Sequence, residues 1–287
     1  MSAAGSWTIP ADADLLQRLC APGRDVCDCR DVMIVAAHPD DETIALGGQL
    51  HRMEGVRILH VTDGAPLDME DARACGFGRR EDYADARRKE LIAAMALAGM
   101  DGEQLLSLAM ADKTVPFRMV ELARKLAVIF LEYRIRWVIS HDFEGGHPDH
   151  DATAFAVHAA CHLVRQAGVR VPKVLEFPLY HLRKGCLIVQ RFASSGKAAA
   201  SRELPLDNAA AVMKRRMLSQ YLTQRRTLSP FAAAEEERLR RALKRRFLAL
   251  PNGGEVYYAY FNWGLRPADW PALAASASRE LDLPQWL

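Results

Sequence analysis

The chain changes character within the segment Asp31-Val32-Met33-Ile34-Val35-Ala36-Ala37-His38-Pro39-Asp40-Asp41-Glu42-Thr43. The first half is apolar and rich in β-branched side chains, which predicts a strand buried on both faces. The second half places one imidazole and three carboxylates within residues 38–42. Pro39 ends the strand, and Asp or Thr at the next positions can cap a helix. A strand that leads into a helix in this way predicts chemistry at the carboxyl edge of a parallel sheet, where open α/β sheets bind ligands.

A second polar cluster, His147-Pro148-Asp149-His150-Asp151, comes after another apolar run, Trp137-Val138-Ile139-Ser140. Two strand ends therefore each deliver His and Asp to what we expect to be one edge of one sheet. A catalytic zinc ion takes three ligands from His, Asp or Glu and keeps an open position for water. His38 and Asp41 are close enough in a tight loop to hold one ion, and His150 would complete such a triad.

Together the two segments resemble the LmbE-like, or PIG-L, family of metal-dependent N-deacetylases. That family is marked by Ala-His-Pro-Asp-Asp-Glu after the first strand and by His-Pro-Asp-His later, and both motifs stand here unchanged. The resemblance runs from about residue 31 to at least residue 177. It implies a Rossmann-like three-layer α/β sandwich, with a mostly parallel sheet and helices on both faces. It also implies hydrolysis of an N-acetyl or other N-acyl group from an amino sugar or a glycosylated small molecule.

The resemblance also assigns roles to individual residues. It implies that three residues bind the metal, Zn²⁺ or alternatively Fe²⁺: His38, Asp41 and His150. Asp40 matches the general base, which takes a proton from water and returns it to the leaving amine. His147 matches the histidine that stabilises the oxyanion or protonates the amine. Asp149 would orient a histidine by accepting its ring proton.

Three further positions are candidate substrate-binding residues. Arg87 opens an Arg-x-x-Glu pattern that resembles a helix start of the family, which would place it at the pocket. Asp112 follows a predicted strand, where sugar deacetylases of the family keep a hydroxyl-binding Asp. Asp63 lies at the neighbouring strand end. For Arg87 and Asp112, an ordinary surface ion pair is the alternative interpretation.

The chain departs from the family pattern at Gly145. Some members place a Tyr here, two residues before the first His of the second motif, where it can polarise the acyl carbonyl. With Gly145 in its place, oxyanion stabilisation would fall on the metal and His147. The wider approach predicts that a bulkier acyl group or aglycone could enter.

Composition limits the setting of the protein. Half of the 287 residues are hydrophobic and the formal charge is +2, which gives no reason to expect a nucleic acid or membrane partner. With neither a signal-peptide pattern nor an apolar stretch of transmembrane length, we expect a cytoplasmic protein that acts on a small molecule. The sequence does not decide whether the protein forms a homo-oligomer. The six scattered cysteines predict free thiols rather than a disulfide framework. Cys20, Cys27 and Cys29 cluster, but they lack the paired spacing of a structural zinc site.

Strand–helix alternation predicts the organisation of the chain. Residues 1–30 should form a leader that packs on the domain, residues 31–192 the deacetylase core, and residues 193–287 a helical C-terminal extension of the same domain. Predicted helices span residues 11–20, 43–53, 79–98, 119–133, 152–166, 206–224 and 232–248. Predicted strands after the first span residues 56–61, 105–108, 137–139, 174–177 and 187–192. Residues 65–77 and 193–201 are predicted loops, and the aromatic run 257–263 a strand that serves packing.

Other function classes remain open at this stage. Two His and one carboxylate would also suit a non-haem Fe(II) oxygenase, but the chain has no β-rich barrel pattern. A dinucleotide-binding module would need a glycine-rich turn after the first strand, which is missing. A non-catalytic metal-binding or sugar-binding protein would not need Asp40 and His147. The substrate could also be a non-sugar N-acyl metabolite of natural-product biosynthesis.

Overall fold

The computed structural model describes residues 14–21, 25–193, 201–232, 236–244 and 246–284. The strands in this part of the chain are β1 (Cys27–Asp28), β2 (Val32–Ala36), β3 (Met53–Glu54), β4 (Arg57–Pro66), β5 (Leu105–Asp112), β6 (Trp137–His141), β7 (Lys173–Phe177), β8 (Tyr180–Arg183), β9 (Cys186–Val189), β10 (Arg202–Pro205) and β11 (Glu236–Arg241). The helices are α1 (Leu15–Leu19), α2 (Asp41–Leu46), α3 (Glu70–Ala74), α4 (Arg80–Leu97), α5 (Met119–Glu132), α6 (Pro148–Gln166), α7 (Asn208–Leu218), α8 (Arg225–Leu228) and α9 (Trp270–Glu280).

Seven strands form the central sheet, in the order β10-β11-β7-β6-β2-β4-β5. The strands from β7 to β5 run parallel to one another. At the other edge, β11 pairs antiparallel with β7, and β10 pairs antiparallel with β11. β8 and β9 form a separate hairpin, while β1 and β3 pair beside the sheet. The predicted mostly parallel sheet is confirmed.

Helices cover both faces of this sheet, because alternate side chains of β2 enter two separate cores. Met33 and Val35 pack into the core on the side of α5, α6 and α9. Val32 and Ile34 pack into the core on the side of α1, α2, α4 and α7. A strand that is buried on both faces needs apolar residues at every position, which explains its unbroken apolar sequence.

The predicted helix over residues 232–248 is wrong, because the described part of it contains strand β11. Three of its charged residues, Glu237, Arg238 and Arg240, are buried rather than solvated. Glu237 pairs with Lys214 at 2.9 Å, and Arg240 pairs with Glu176 at 2.9 Å. Because these ion pairs are buried, strand β11, which lies between β10 and β7, has the charged sequence pattern of an exposed helix.

Other boundaries differ locally. The helix predicted over residues 43–53 ends at Leu46, before Gly47, and residues 65–77 contain α3. The helix predicted over residues 206–224 ends at Leu218. The aromatic run 257–263 begins with a short 3₁₀ helix, Tyr257–Tyr260, instead of a strand. Most of the predicted loop 193–201 lies outside the described residues.

The six cysteines are free thiols, which confirms that prediction. In the described ranges, no cysteine belongs to a group of side chains spaced to hold a metal ion. None of the helices described is both long enough and apolar enough to cross a membrane.

Candidate metal and catalytic site

The two motifs meet because the strands that carry them are neighbours. β2 and β6 pair in parallel, with Ile34 opposite Ile139, so both end at the same edge of the sheet. The first motif turns directly into α2, and the second leads into α6. Between them lies an open cleft with a cavity volume of about 140 Å³. The predicted residues that line it are His38, Asp40, Asp41, Arg87, Asp112, His147 and His150.

Three potential metal ligands lie at the floor of this cleft. His38 Nδ1 lies 3.2 Å from His150 Nε2. Asp41 Oδ1 lies 3.3 Å from that His150 nitrogen, and Asp41 Oδ2 lies 3.4 Å from His38 Nδ1. Two ligands bound tetrahedrally to zinc at ~2.0–2.1 Å stand roughly 3.3 Å apart. The spacing of these atoms therefore fits one zinc ion.

The hydrogen-bonding pattern also favours a cation at this point. His38 Nε2 faces Asp112 Oδ1 at 3.1 Å and Asp149 Oδ2 at 3.4 Å. Carboxylates only accept, so Nε2 carries the proton and Nδ1 turns a lone pair toward His150 and Asp41. Burial alone would lower the pKa of His38, but the charge of Asp112 and hydrogen bonds to Asp112, Asp149 and Asp41 raise it well above its usual value. The site therefore draws positive charge, as a proton or a metal ion.

A fourth imidazole, that of His141, stacks on His150 with ring centroids 4.3 Å apart. It lies near enough to Asp41 and His150 to be considered a ligand. However, its Nε2 accepts a hydrogen bond from the backbone N–H of Ala37 at 2.9 Å. Because that lone pair is already used, His141 supports the floor of the site instead of competing for a metal.

Asp40 combines a strained backbone with a buried carboxylate that is held through one of its two oxygens. Its φ of 132° is unfavourable for a non-glycine residue. The buried carboxylate of Glu42 stabilises it by accepting the Asp40 N–H at 3.1 Å. Asp40 Oδ2 accepts from Arg87 Nη2 at 2.9 Å, while Oδ1 has no hydrogen-bond partner in the described chain. Burial raises the pKa of Asp40 well above its usual value, although the charge of Arg87 opposes this. Oδ1 is thus free to accept a proton from water.

His147 presents a defined N–H to the cleft. It caps α6, and its Nδ1 accepts the backbone N–H of Asp149 at 3.1 Å. Burial, reinforced by the charge on His38, lowers the pKa of His147 well below its usual value. A neutral imidazole that accepts at Nδ1 must carry its proton at Nε2, so His147 offers a donor at Nε2.

Two carboxylates, those of Asp112 and Asp149, lie close to His38 Nε2. Asp149 accepts the backbone N–H groups of Lys113 (2.7 Å) and Val115 (3.1 Å), which ties the start of α6 to the loop after β5. Asp112, at the end of β5, reaches His38 with Oδ1, while its Oδ2 has no hydrogen-bond partner in the described chain. Orientation of a histidine by Asp149 and hydroxyl binding by Asp112 both stay predictions that this geometry accommodates.

The other two substrate candidates are occupied by protein contacts. Arg87 is buried and donates to the backbone oxygens of Gly64 (2.6 Å) and Pro39 (2.8 Å) besides the carboxylate of Asp40. Asp63 binds Arg80 with both oxygens and does not line the cleft. Neither side chain is a free surface pair, and both are held by the protein rather than left open to a sugar.

Sequence reasoning missed the aromatic side of the cleft, which comes from distant parts of the chain. Tyr180 approaches His150 with ring centroids 5.6 Å apart, and Trp263 approaches His147 at 4.6 Å. Trp263 belongs to the aromatic run that was assigned to packing alone. The remaining lining residues that the motifs did not indicate are Ile44, Asp71, Lys113, Gln224, Thr227, Leu228 and Phe231. Only their proximity in the fold identifies them.

The chain from Gln190 onward also fixes α2. Lys214 Nζ and Gln190 Nε2 both donate to the carbonyl oxygen of Ile44, near the end of this short helix. At its start, Tyr221 donates to Glu42 Oε1 at 2.7 Å. Since Asp41 opens α2, these contacts determine where a predicted ligand lies.

The chain is similar in sequence to known deacetylases. The family described as PIG-L, GlcNAc-PI de-N-acetylase, matches residues 33–161. A 1D-myo-inositol 2-acetamido-2-deoxy-alpha-D-glucopyranoside deacetylase from Mycobacterium sp. (strain KMS) is 32% identical over 164 residues, which cover 50% of this chain and 52% of that protein. A probable N-acetyl-alpha-D-glucosaminyl L-malate deacetylase 2 from Bacillus cereus is 33% identical over 132 residues, 45% of this chain and 59% of that protein. The chain thus spans little more than half the length of these relatives.

Solved structures show the same fold at lower identity. The A40926 pseudoaglycone deacetylase Dbv21 superposes with a TM-score of 0.56 at 19% identity, over 75% of this chain and 97% of that one. GalB, the 4-carboxy-2-hydroxymuconate hydratase from Pseudomonas putida KT2440, superposes with a TM-score of 0.50 at 18% identity, over 75% and 96%. Since one of these is a hydratase, the fold alone does not decide the reaction. The two unchanged motifs, their meeting in one cleft and the family match show that residues 33–161 are similar to the PIG-L (LmbE-like) family.

Proposed function

We propose that this protein is a zinc-dependent N-deacetylase that hydrolyses the acetamide of an N-acetylated amino sugar carried by a small molecule. One observation supports this above all others. Three candidate metal ligands, a carboxylate oxygen with no hydrogen-bond partner among the described residues and an imidazole N–H line the same cleft. Amide hydrolysis needs an activated water, a base and an acid, and each has a candidate here.

In the proposed mechanism, His38, Asp41 and His150 would hold the ion. When bound, zinc would supply Lewis acidity, which lowers the pKa of water from 15.7 to about 7. Asp40 Oδ1 would accept the proton of the attacking water, while Arg87 on Oδ2 keeps the carboxylate oriented. His147 would donate a hydrogen bond from Nε2 to the oxygen of the tetrahedral intermediate or to the departing nitrogen. The proton held by Asp40 would pass to that nitrogen as the C–N bond breaks, which would release the amine and acetate.

The relatives support the substrate class. Their names describe acetylated glucosamine carried on inositol or on malate. We infer a substrate of the same kind here, in which a 2-acetamido sugar is linked to a small aglycone. The Oδ2 atom of Asp112, which has no hydrogen-bond partner in the described chain, would accept a hydrogen bond from a hydroxyl of that sugar. A cytoplasmic location, Fe²⁺ as an alternative metal and a homo-oligomeric state are kept as predictions.

The test is a screen of N-acetylglucosamine glycosides, with free amine and acetate both measured. Protein stripped with chelator, protein reloaded with Zn²⁺ and protein reloaded with Fe²⁺ should be compared at matched concentration. We expect equal amounts of amine and acetate, activity that disappears on stripping, and recovery on reloading. Amine release that is unaffected by stripping would contradict the proposal. So would a metal-loaded protein that leaves every acetamide intact.

A further inference from the structure

Tyr180 places a phenol in the cleft that nothing described so far uses. It lies in the same wall as Asp40, Asp41 and His150. No hydrogen bond to its hydroxyl occurs within the described ranges of the chain, although its ring is enclosed by His150, Phe231 and Tyr257. A largely enclosed tyrosine normally finds a partner for its O–H. In a working site that partner would be water or the substrate.

The chain fixes the position of Tyr180 through Glu144. This buried carboxylate accepts the backbone N–H groups of Leu179 at 2.7 Å and Tyr180 at 3.0 Å through one oxygen, Oε1. The N–H of Glu144 itself is held by Asp151 Oδ1 at 3.1 Å. Tyr180 is therefore tethered to the loop that leads into His147.

Gly146 in that loop makes room for Tyr180. A Cβ on Gly146 would lie 2.3 Å from the carbonyl oxygen of Tyr180 and 3.1 Å from two of its ring carbons. The neighbouring Gly145, where φ is +78°, is restricted from the other side, since its Cβ would lie 2.7 Å from Val256. Both positions therefore favour glycine, and the phenol enters the cleft from the start of β8.

We propose that Tyr180 is a catalytic residue, whose O–H donates a hydrogen bond to the scissile acyl carbonyl and to the oxyanion formed when water attacks. This inference rests on the proposed deacetylase function. The phenol forms no covalent bond and keeps its proton throughout, because a tyrosine is protonated at neutral pH. A donor of this kind acts mainly on the transition state, so its loss lowers kcat more than it raises KM.

The test compares Tyr180→Phe with Tyr257→Phe, a control that removes the hydroxyl of an adjacent ring outside the cleft wall. We expect Tyr180→Phe to lower kcat by roughly 10²–10³-fold, the usual effect of losing one oxyanion donor. Metal content and KM should stay near wild type, and Tyr257→Phe should stay within about twofold. Affinity for a tetrahedral phosphonamidate analogue, measured by calorimetry, should weaken for Tyr180→Phe while affinity for the product amine does not.

A second pair of variants separates positioning from folding. Glu144→Gln keeps the oxygen that holds Tyr180 and should retain activity. Glu144→Leu removes that oxygen and should lower kcat. In a Tyr180→Phe background the same change should lower kcat little further, because the two changes act through one hydroxyl. A Tyr180→Phe enzyme with kcat within about threefold of wild type would overturn the role of Tyr180 and leave deacetylation standing. A wild-type protein that hydrolyses no acetamide would overturn both.

Discussion

Asp40 Oδ2 and Arg87 Nη2 lie 2.9 Å apart in a buried ion pair at the edge of the cleft. Arg87 resembles a substrate residue in sequence, yet its other hydrogen bonds go to backbone oxygens of the loops beside Asp40. The geometry therefore favours a role for Arg87 in orienting Asp40 and in lowering the pKa of its carboxyl group.

This relationship predicts the phenotype of Arg87→Met. We expect kcat/KM to fall roughly 10- to 100-fold, as for the loss of a charged hydrogen bond of about 1.5–3 kcal/mol. The loss should be equal on a full glycoside and on a truncated N-acyl amine without hydroxyls. The acid limb of the pH–rate profile should move to higher pH, because the cation that lowers the pKa of Asp40 is gone. Arg80→Met, on the same helix but paired with Asp63, is the matched control. A loss confined to the full glycoside would restore Arg87 as a sugar-binding residue.

The metal triangle predicts that His38→Ala and His150→Ala each lose metal and activity together. Two ligands do not retain a catalytic ion, and the variants should contain little zinc after dialysis when measured by elemental analysis. His162→Ala, farther along α6 and outside the cleft, should keep its full zinc content. Full occupancy in either of the first two variants would refute the assignment of ligands.

The buried pair between Lys214 and Glu237 predicts a stability effect. Lys214→Met leaves the Glu237 carboxylate buried without its cation, which should cost about 3–5 kcal/mol of unfolding free energy. Adding Glu237→Gln removes the charge but keeps an oxygen for the N–H of Gly48, so the double variant should regain part of that loss. Urea unfolding of the two proteins measures the difference. A double variant that is less stable than Lys214→Met would contradict this account.

The raised pKa of Asp151 predicts how the unfolding free energy depends on pH. Burial, together with the charge of Glu144, raises its pKa well above 3.8 despite two backbone N–H donors. The unfolded chain releases this proton near pH 3.8, whereas the folded protein keeps it to higher pH. Unfolding free energy should therefore fall as pH rises from about 4 through the folded pKa. Asp151→Asn should flatten that slope by up to ~1.4 kcal/mol per pH unit. If wild type and Asp151→Asn, both measured in chelator, show identical slopes of unfolding free energy against pH, this prediction is contradicted.

The sequence could predict the parts of the site that lie close together in the chain. The apolar run before His38 and the proline after it indicate the strand, its end and the cluster at the sheet edge. The same holds for the segment that carries His147 and His150. Tyr180 and Trp263 gave no such signal, because only packing brings a strand start and an aromatic loop beside these histidines. Strand β11 was missed since Arg240 and Glu237 are charged, and their burial depends on partners far away in sequence.

The variant Asp40→Asn decides whether Asp40 acts as the base beside a bound metal. The amide keeps the shape of the side chain and an oxygen for Arg87, but it cannot accept the proton of water. Zinc content and turnover of an N-acetylglucosamine glycoside should be measured on the same preparation. We expect wild-type zinc content with turnover lowered roughly 10²–10⁴-fold. Turnover close to wild type in the zinc-loaded variant would contradict the account.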